Sequence, residues 1–253
     1  MGQGISDHKS DYIDENNGNY SKQRGIFEGI LGFFLIEEPV MDTRGNERYF
    51  ANIFYGFRPA VVRDNAQLYL TLLCVAVFNI SIQIFMPYLI LYYEVSLQMS
   101  NYVLIMAPAI ILASVVTALW GKVYDKKGFG FSSAFAIIWL IAGYIMLFIF
   151  RSTAPVFVGS LLMMSGYLSG MAVFGALIRD NTPKGKSGCL QGIRIFSQVL
   201  VPGIVGPFIG SAVLSSAELV LNGDGTTTFK PNENIFLAAA IAAVPVFVVF
   251  FIV

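Results

Sequence analysis

The sequence predicts an all-α, polytopic membrane protein with six transmembrane helices. The composition is 56% hydrophobic and only 13% charged, whereas soluble domains carry about 25% charged residues. Six apolar runs, each long enough to cross a bilayer, follow one another after a polar N-terminal region. A short, charged, glycine-rich turn, Gly121–Gly130, separates the second run from the third. These observations exclude a soluble globular domain.

The chain before the apolar runs divides into two parts. Residues 1–25 are polar and contain the only histidine, His8, which we expect to be a solvated side chain without a ligand or switch role. Residues 26–66 begin with an apolar stretch that is shorter than the about 20 residues needed to cross the hydrocarbon core. We expect this stretch to be the end of a helix or an interfacial segment. The aromatic residues that follow suit a segment lying along the membrane surface.

Residues 67–253 form the predicted six-helix transmembrane domain. No span contains an acidic residue, and Arg194 is the only basic residue inside one. Buried helices of a soluble protein do not give six such runs in succession. The predicted spans are Gln67–Tyr93, Asn101–Trp120, Phe131–Phe150, Ala154–Ile178, Leu190–Ser215 and Asn234–Val253.

Basic residues in the short loops predict the orientation. The loops after the first, third and fifth spans contain only Arg151 and Lys230. The opposite set of loops is much richer in lysine and arginine, so we expect it to be cytoplasmic together with the C-terminus. The protein is therefore predicted to be a multi-pass protein of the plasma (inner) membrane. The basic residues of the cytoplasmic set are Arg44, Arg48, Arg58, Arg63, Lys122, Lys126, Lys127, Arg179, Lys184, Lys186 and Arg194.

The sequence contains no pattern typical of an enzyme, a metal site or a nucleic-acid-binding surface. The formal net charge is zero, so no basic face points to a nucleic-acid partner. Cys74 and Cys189 lack the spacing of a disulfide framework or zinc site. The KGKS stretch at Lys184–Ser187 lacks the first glycine of a phosphate-binding loop, since that position is Asp180. We therefore predict no catalytic residue, no metal and no cofactor, and expect a small-molecule solute and membrane lipid as partners.

The turn Gly121–Gly130 reads GKVYDKKGFG and has two interpretations. Asp125 could cap a helix N-terminus or pair with a nearby cation, and such a contact would hold one conformation. Alternatively, the stretch is a solvated turn whose lysines follow the positive-inside rule. In both cases a short turn makes the flanking helices antiparallel neighbours.

This turn resembles the Gly-x-x-x-Asp-(Arg/Lys)-x-Gly signature of the major facilitator superfamily. Gly121, Asp125, Lys126 and Gly128 occupy the signature positions, between the second and third helices as in each six-helix half of that family. The basic residue that usually follows the final glycine is absent, because Phe129 and Gly130 stand there. The charge network of the signature is therefore expected to be thinner.

The block Arg179–Pro207 is also similar to a cytoplasmic loop and the following helix of the glycoside–pentoside–hexuronide cation symporters. The resemblance implies the C-terminal half of a twelve-helix transporter, with Glu37–Asn65 as its central cytoplasmic linker. Such a half would help to move a small polar solute, such as a sugar or glycoside, by alternating access. It would need the missing N-terminal half or a second copy. The predicted spans contain no carboxylate, so the sequence does not indicate whether transport is coupled to protons or to sodium ions. The alternative is a six-helix assembly or regulatory protein without transport activity.

Polar residues inside the spans are the candidates for solute binding, because polar groups are costly in a membrane unless they face a cavity or another helix. Asn79 and Gln83 lie four residues apart on one face of the first span, and Tyr88 follows toward the outer end. Gln198 lies in the fifth span. The equally weighted alternative is that the amides link helices to one another.

The fifth span contains the candidates for gating. Gln191, Arg194 and Gln198 are spaced as one polar stripe. Arg194 is predicted to hold an anionic group or an inner gate, or to extend to the lipid headgroups. Pro202 and Pro207 predict a kink that could act as a moving hinge.

Overall fold

The computed structural model describes residues 55–99, 101–183, 185–221, 225 and 227–250. The predictions for residues 1–54 lie outside these described residues. A 3-10 turn, Tyr55–Phe57, precedes the helices, and a short antiparallel hairpin lies between the last two. The elements are α1 (Pro59–Asp64), α2 (Ala66–Ser96), α3 (Val103–Ile149), α4 (Thr153–Asn181), α5 (Ser187–Leu214), β1 (Leu219–Leu221), β2 (Thr227–Phe229) and α6 (Asn234–Phe250).

Four helices, α2, α3, α4 and α5, are long and apolar enough to cross a membrane. The predicted helical class is therefore confirmed, apart from the hairpin, which the sequence analysis did not predict. The count of six spans is not confirmed by helix length. The second and third predicted spans form the single 47-residue helix α3, and α6 is described over only 17 residues.

Helix α3 reverses its direction at one residue. Gly128 has φ 76° and ψ −179°, a conformation that glycine adopts far more readily than other residues. The rings of Trp120 and Phe135 stack with centroids 4.8 Å apart, whereas a straight helix would separate the two residues by roughly 22 Å. The prediction of a ten-residue loop at Gly121–Gly130 was wrong, because the helix continues to Lys127 and resumes directly after Gly128.

Gly128 divides α3 into a first arm, residues 103–127, and a second arm, residues 129–149. The first arm is parallel to α4. Thr117 Oγ1 lies 3.4 Å from Ser169 Oγ, and further along both helices the Tyr124 hydroxyl donates to an Asp180 carboxylate oxygen at 3.4 Å.

The second arm is antiparallel to α4. A Cβ placed on Gly143 would lie 2.7 Å from Met163 Cα, and one placed on Gly166 would lie 2.7 Å from Leu140 Cα. Position 143 thus meets 163 and position 140 meets 166. Because one arm is parallel and the other antiparallel to α4, the two arms are antiparallel to each other.

Helix α2 is the centre of the bundle and is antiparallel to α4. The rings of Phe78 and Phe174 lie 5.1 Å apart. Farther along α2, the fully buried Tyr93 hydroxyl donates to the Ser160 hydroxyl, which in turn donates to the Val156 carbonyl at 2.6 Å. The rest of the α2 surface contacts α5 and α6.

Helix α5 is parallel to α2. The Ser197 hydroxyl donates to the Leu72 carbonyl at 2.5 Å, and a Cβ on Gly210 would lie 2.5 Å from Ile84 O. The close approach at Gly210 requires a residue without a side chain.

Helix α6 is antiparallel to α2. Cys74 Sγ lies 3.9 Å from Val246 O, and the rings of Tyr92 and Phe236 lie 4.9 Å apart. Consequently α2, the first arm, the second arm, α4, α5 and α6 alternate in direction along the chain.

The surface of this bundle is strongly apolar. Leu104 is 72% exposed and Phe208 is 76% exposed. Among the described residues, nine polar side chains are buried, including Thr71, Ser81 and Ser165. A soluble protein has the opposite distribution, so the surface is compatible with a membrane-embedded protein.

The two ends of the bundle hold different elements. The motif end holds the Gly128 reversal, the first turns of α2 and α5, and the Arg179–Asp180 ion pair at 3.6 Å. The far end holds the β-hairpin and, among the described residues, two ion pairs. Arg151 contacts Glu233 at 2.7 Å, and Lys230 contacts Glu218 at 3.8 Å.

Candidate functional site

The Gly128 reversal presents its charged residues to the motif end. Asp125 and Lys126 are exposed, and Lys127 Nζ lies 4.5 Å from the centre of the Phe131 ring. Within the described part of the chain, no cation lies within the 4.0 Å ion-pair distance of Asp125. The capping or pairing role predicted for Asp125 therefore stays a prediction.

A cavity of about 200 Å³ lies between the first arm and α4 beside this turn. Asp125 and Arg179 both line it, together with Gly121 and Tyr124. Arg179 Nε lies 3.6 Å from Asp180, which also accepts the hydrogen bond from Tyr124. Asp125 and Arg179 therefore face the same cavity. Roles for Tyr124 and Asp180 were not predicted, because 56 residues separate them in the chain.

Replacing Gly128 with alanine is expected to destabilise the fold by about 1–3 kcal/mol, because a Cβ strains this backbone conformation. Gly121 is a matched control in the same arm of the reversal. It lies within regular helix, and a Cβ there meets no atom within 4 Å. Gly121→Ala should therefore be neutral or slightly stabilising. Thermal unfolding of both variants in detergent checks this prediction, and equal losses would contradict it.

Asn79 and Gln198 meet at the contact between α2 and α5. Asn79 is 7% exposed, and its amide nitrogen donates to the Gln198 backbone carbonyl at 2.9 Å. Pro202 has no N–H to donate to the carbonyl four residues earlier, which is that of Gln198. Asn79 therefore supplies the donor that Pro202 removes. In this structure the Asn79 amide links two helices, which is one of the two predicted alternatives. Solute binding by Asn79 stays a prediction.

Gln83 and Tyr88 lie against the same helix. A Cβ on Gly206 would lie 2.7 Å from the Gln83 carbonyl carbon, and a Cβ on Gly210 would lie 2.8 Å from Tyr88 Cε2. The four solute-binding candidates of the sequence thus gather along one contact, that of α2 with α5. Gln83, Tyr88 and Gln198 are half-buried, so each retains some accessible surface.

Arg194 lies in α5 just before a break in regular α-helix. Its side chain is half-buried, and Nε is fully buried without a hydrogen-bond partner. The following residues, Phe196–Leu200, form a π-helical turn. A buried guanidinium nitrogen that lacks a partner among the described residues is energetically costly, so Arg194 is a group that an anion would stabilise.

The π-helical turn is a feature that the sequence analysis missed. It ends at Leu200, directly before Val201 and Pro202. A second π-helical turn, Tyr92–Ser96, forms the end of α2. Such turns occur frequently at functional sites. Pro202 is the signal that could have indicated irregular helix here, because a proline inside a helix disrupts the preceding turn.

The described residues therefore provide two sets of candidate functional groups, one beside the Gly128 reversal and one along the contact of α2 with α5. Among the described residues, no group of three or more histidine, cysteine, aspartate or glutamate side chains is placed to hold a metal ion. Comparison of the chain with models of protein families, with curated proteins and with solved structures gives no match, so its function is argued from these residues alone.

Proposed function

We propose that the chain is a six-crossing unit of a secondary transporter for a small polar solute, such as a sugar or glycoside. The observation that carries this proposal is the alternating direction of α2, the two arms of α3, α4, α5 and α6. Six crossings of a membrane require this alternation. With six crossings, Asp125 and Gly128 would lie between the second and the third, which is the position of the facilitator signature that they resemble.

The lengths of the two arms support separate crossings. At 1.5 Å per residue, residues 103–127 extend roughly 37 Å and residues 129–149 roughly 31 Å. Both values match the hydrocarbon core of about 30 Å. The lysines near Gly128 would then stay at the cytoplasmic surface, together with the first turns of α2 and α5.

The contact of α2 with α5 supports a moving part. Helix α5 combines a π-helical turn with Pro202 and Pro207, so its backbone hydrogen bonding is weakened in the middle of the crossing. The half-buried Gln83 and Gln198 would face the solute, and Arg194 would hold an anionic group of the solute or of a second unit. That second unit is an N-terminal six-helix half or a second copy, which would cover the polar groups of this wall.

The experiment that tests this function is solute uptake by vesicles. The chain is reconstituted alone and together with a six-helix partner, and labelled sugars are offered with and without proton and sodium gradients. Uptake only with the partner is the expected result, and uptake by the chain alone would mean that two copies complete the cavity. Folded protein that takes up no sugar under any condition contradicts the proposed solute class.

The hinge is tested separately by proline variants. Pro202→Ala and Pro207→Ala are expected to slow uptake several-fold while lowering the folded yield little, because alanine restores regular helix. Pro108→Ala in the first arm is the control, since Pro108 also lies inside a helix but away from α5. Equal losses of uptake and folded yield, or an equal effect of Pro108→Ala, would refute the hinge.

A second candidate, an assembly or regulatory protein, is favoured by one observation. The amide of Asn79 already has its partner within the bundle, so it is available to a solute only if this contact opens. Asn79→Ser distinguishes the two candidates, because serine is too short to span the contact. In a transporter the variant should alter the affinity for solute, whereas in an assembly protein it should alter only stability.

A further inference from the structure

A group of exposed cations lies at the motif end around one aromatic ring. The guanidinium carbon of Arg58 lies 5.8 Å from the centre of the Tyr55 ring, and Lys186 Nζ lies 5.9 Å from the same centre. Arg63 follows in the last turn of α1. We name Tyr55, Arg58, Arg63 and Lys186 the basic surface. All three cations are exposed.

The cations of the basic surface have no acidic partner among the described residues. In the chain segments that the structure describes, no carboxylate lies within 4.0 Å of any of the three, including that of the neighbouring Asp64. Other cations of the bundle are paired, since Arg151 and Lys230 at the far end each contact a glutamate and Arg179 contacts Asp180. Two like charges held on one ring repel each other, so a bound anion would stabilise Arg58 and Lys186 together.

The basic surface is fixed to the bundle. The Tyr69 hydroxyl of α2 donates to the Gly56 carbonyl, and a Cβ on Gly56 would lie 2.9 Å from Ile193 Cγ2 of α5. The amide of Asn65 closes the end of α1 by donating to the Val61 carbonyl at 2.9 Å. The segment Tyr55–Asp64 is therefore held between the N-terminal parts of α2 and α5. Arg58 and Arg63 keep a fixed position relative to the bundle.

Apolar groups lie directly beside these cations. Phe57 packs edge-on against Phe196 with ring centroids 5.3 Å apart, and the two residues are 42% and 39% exposed. Val199 and Leu200 continue this exposed apolar surface along α5. Cations at the end of an exposed apolar strip match a phospholipid, which has a charged headgroup above its acyl chains.

We propose that the basic surface binds the headgroup of an anionic phospholipid, whose acyl chains lie along Phe57, Phe196 and Val199. Arg58 and Lys186 contact the Tyr55 ring through its π face. Their N–H groups remain able to donate to phosphate oxygens in charge-assisted hydrogen bonds. The proposal rests on the membrane embedding of the proposed function and not on solute uptake, so a failure of the uptake experiment leaves it intact.

The experiment measures lipid retention by the full chain. Purified protein is incubated with phosphatidylglycerol or phosphatidylcholine, and bound lipid is counted by native mass spectrometry. We expect the wild-type chain to retain phosphatidylglycerol in preference to phosphatidylcholine. The double variant Arg58→Gln/Lys186→Gln should weaken this retention by roughly fivefold for each cation removed.

The matched control is Lys126→Gln/Lys127→Gln, which removes two cations from the same end but not from the basic surface. Retention by this control should stay within about twofold of wild type, because only Arg58 and Lys186 lie over the Tyr55 ring, whereas Lys127 lies over Phe131. Equal losses in the two double variants would mean diffuse attraction and would overturn the proposal. Displacement of the lipid by inorganic phosphate at an equal concentration would also overturn it, since the surface would then bind a soluble anion.

A second measurement does not depend on the folding of a variant. Retention of phosphatidylglycerol by the wild-type chain should fall steeply as salt is raised, because the proposed contact is between charges. Retention of phosphatidylcholine should change little. Absence of a preference for phosphatidylglycerol, or a preference that salt does not affect, would contradict a site made by Arg58 and Lys186.

Discussion

Replacing Gly166 with alanine is expected to destabilise the bundle by about 3 kcal/mol or more, the upper part of the range for overpacking a core. A Cβ at this position would collide with Leu140 N and would lie 2.7 Å from Ala136 O. Both are backbone atoms of the second arm, so no side-chain rotation relieves the clash. The second arm and α4 would have to separate along their length. Thermal unfolding in detergent and the yield of monodisperse protein measure the effect.

Gly175→Ala is the matched control, because Gly175 lies in the same helix and a Cβ there meets no atom within 4 Å. This variant should be as stable as wild type or more stable by up to about 1 kcal/mol, since alanine favours helix. Gly170→Ala should fall between the two, because its Cβ meets the side chain of Phe78, which is able to rotate. Equal effects at the three positions would show that close packing does not decide stability here.

Replacing Asn79 with leucine is expected to cost about 1–3 kcal/mol, which is the cost of leaving a buried polar group without a partner. The lost bond is the one from the Asn79 amide to the Gln198 carbonyl. Leucine has the same number and branching of side-chain heavy atoms, so the substitution removes the hydrogen bond without opening a cavity. Denaturant unfolding in mixed micelles measures the change.

The cause is tested by repeating this substitution in a Pro202→Ala background. The alanine restores a backbone N–H four residues after Gln198, so the carbonyl regains a donor without Asn79. The cost of Asn79→Leu should then fall below about 1 kcal/mol, giving a coupling energy of about 1–2 kcal/mol between the two positions. Ser81→Ala is the control, because Ser81 donates within its own helix and should cost the same in both backgrounds. Additive losses for Asn79 and Pro202 would contradict the proposed exchange of donors.

Hydrophobicity and loop charge were enough to predict the helical class, the antiparallel arms and the end of the bundle that carries the lysines. The extent of the turn was not predicted. Lys122, Lys126 and Lys127 are polar, which is typical of a loop, but lysine also has a high helix propensity. A single glycine with positive φ completes the reversal, and the remaining residues stay helical. Hydropathy cannot separate a charged helix end from a charged loop.

The candidate site was predictable in part. Pro202 indicates by simple counting that the Gln198 carbonyl needs a donor, so this half of the contact was available from the sequence. That the donor is Asn79, 119 residues away, follows only from the parallel packing of α2 and α5. The hydrogen bond from Tyr124 to Asp180 and the placement of Lys186 over Tyr55 likewise depend on tertiary packing. No local pattern of residues encodes such pairs.

The reversal at Gly128 has a consequence for how the protein is made. The chain is helical up to Lys127 and again from Phe129. No flexible loop therefore separates the proposed second and third crossings. In the proposed six-crossing unit, the two arms would therefore enter the bilayer together as one hairpin, with the lysine-bearing tip staying at the surface from which the hairpin enters. An insertion of flexible residues after Gly128 would let the arms enter one after the other, and would uncouple the arrival of the second arm from that of the first.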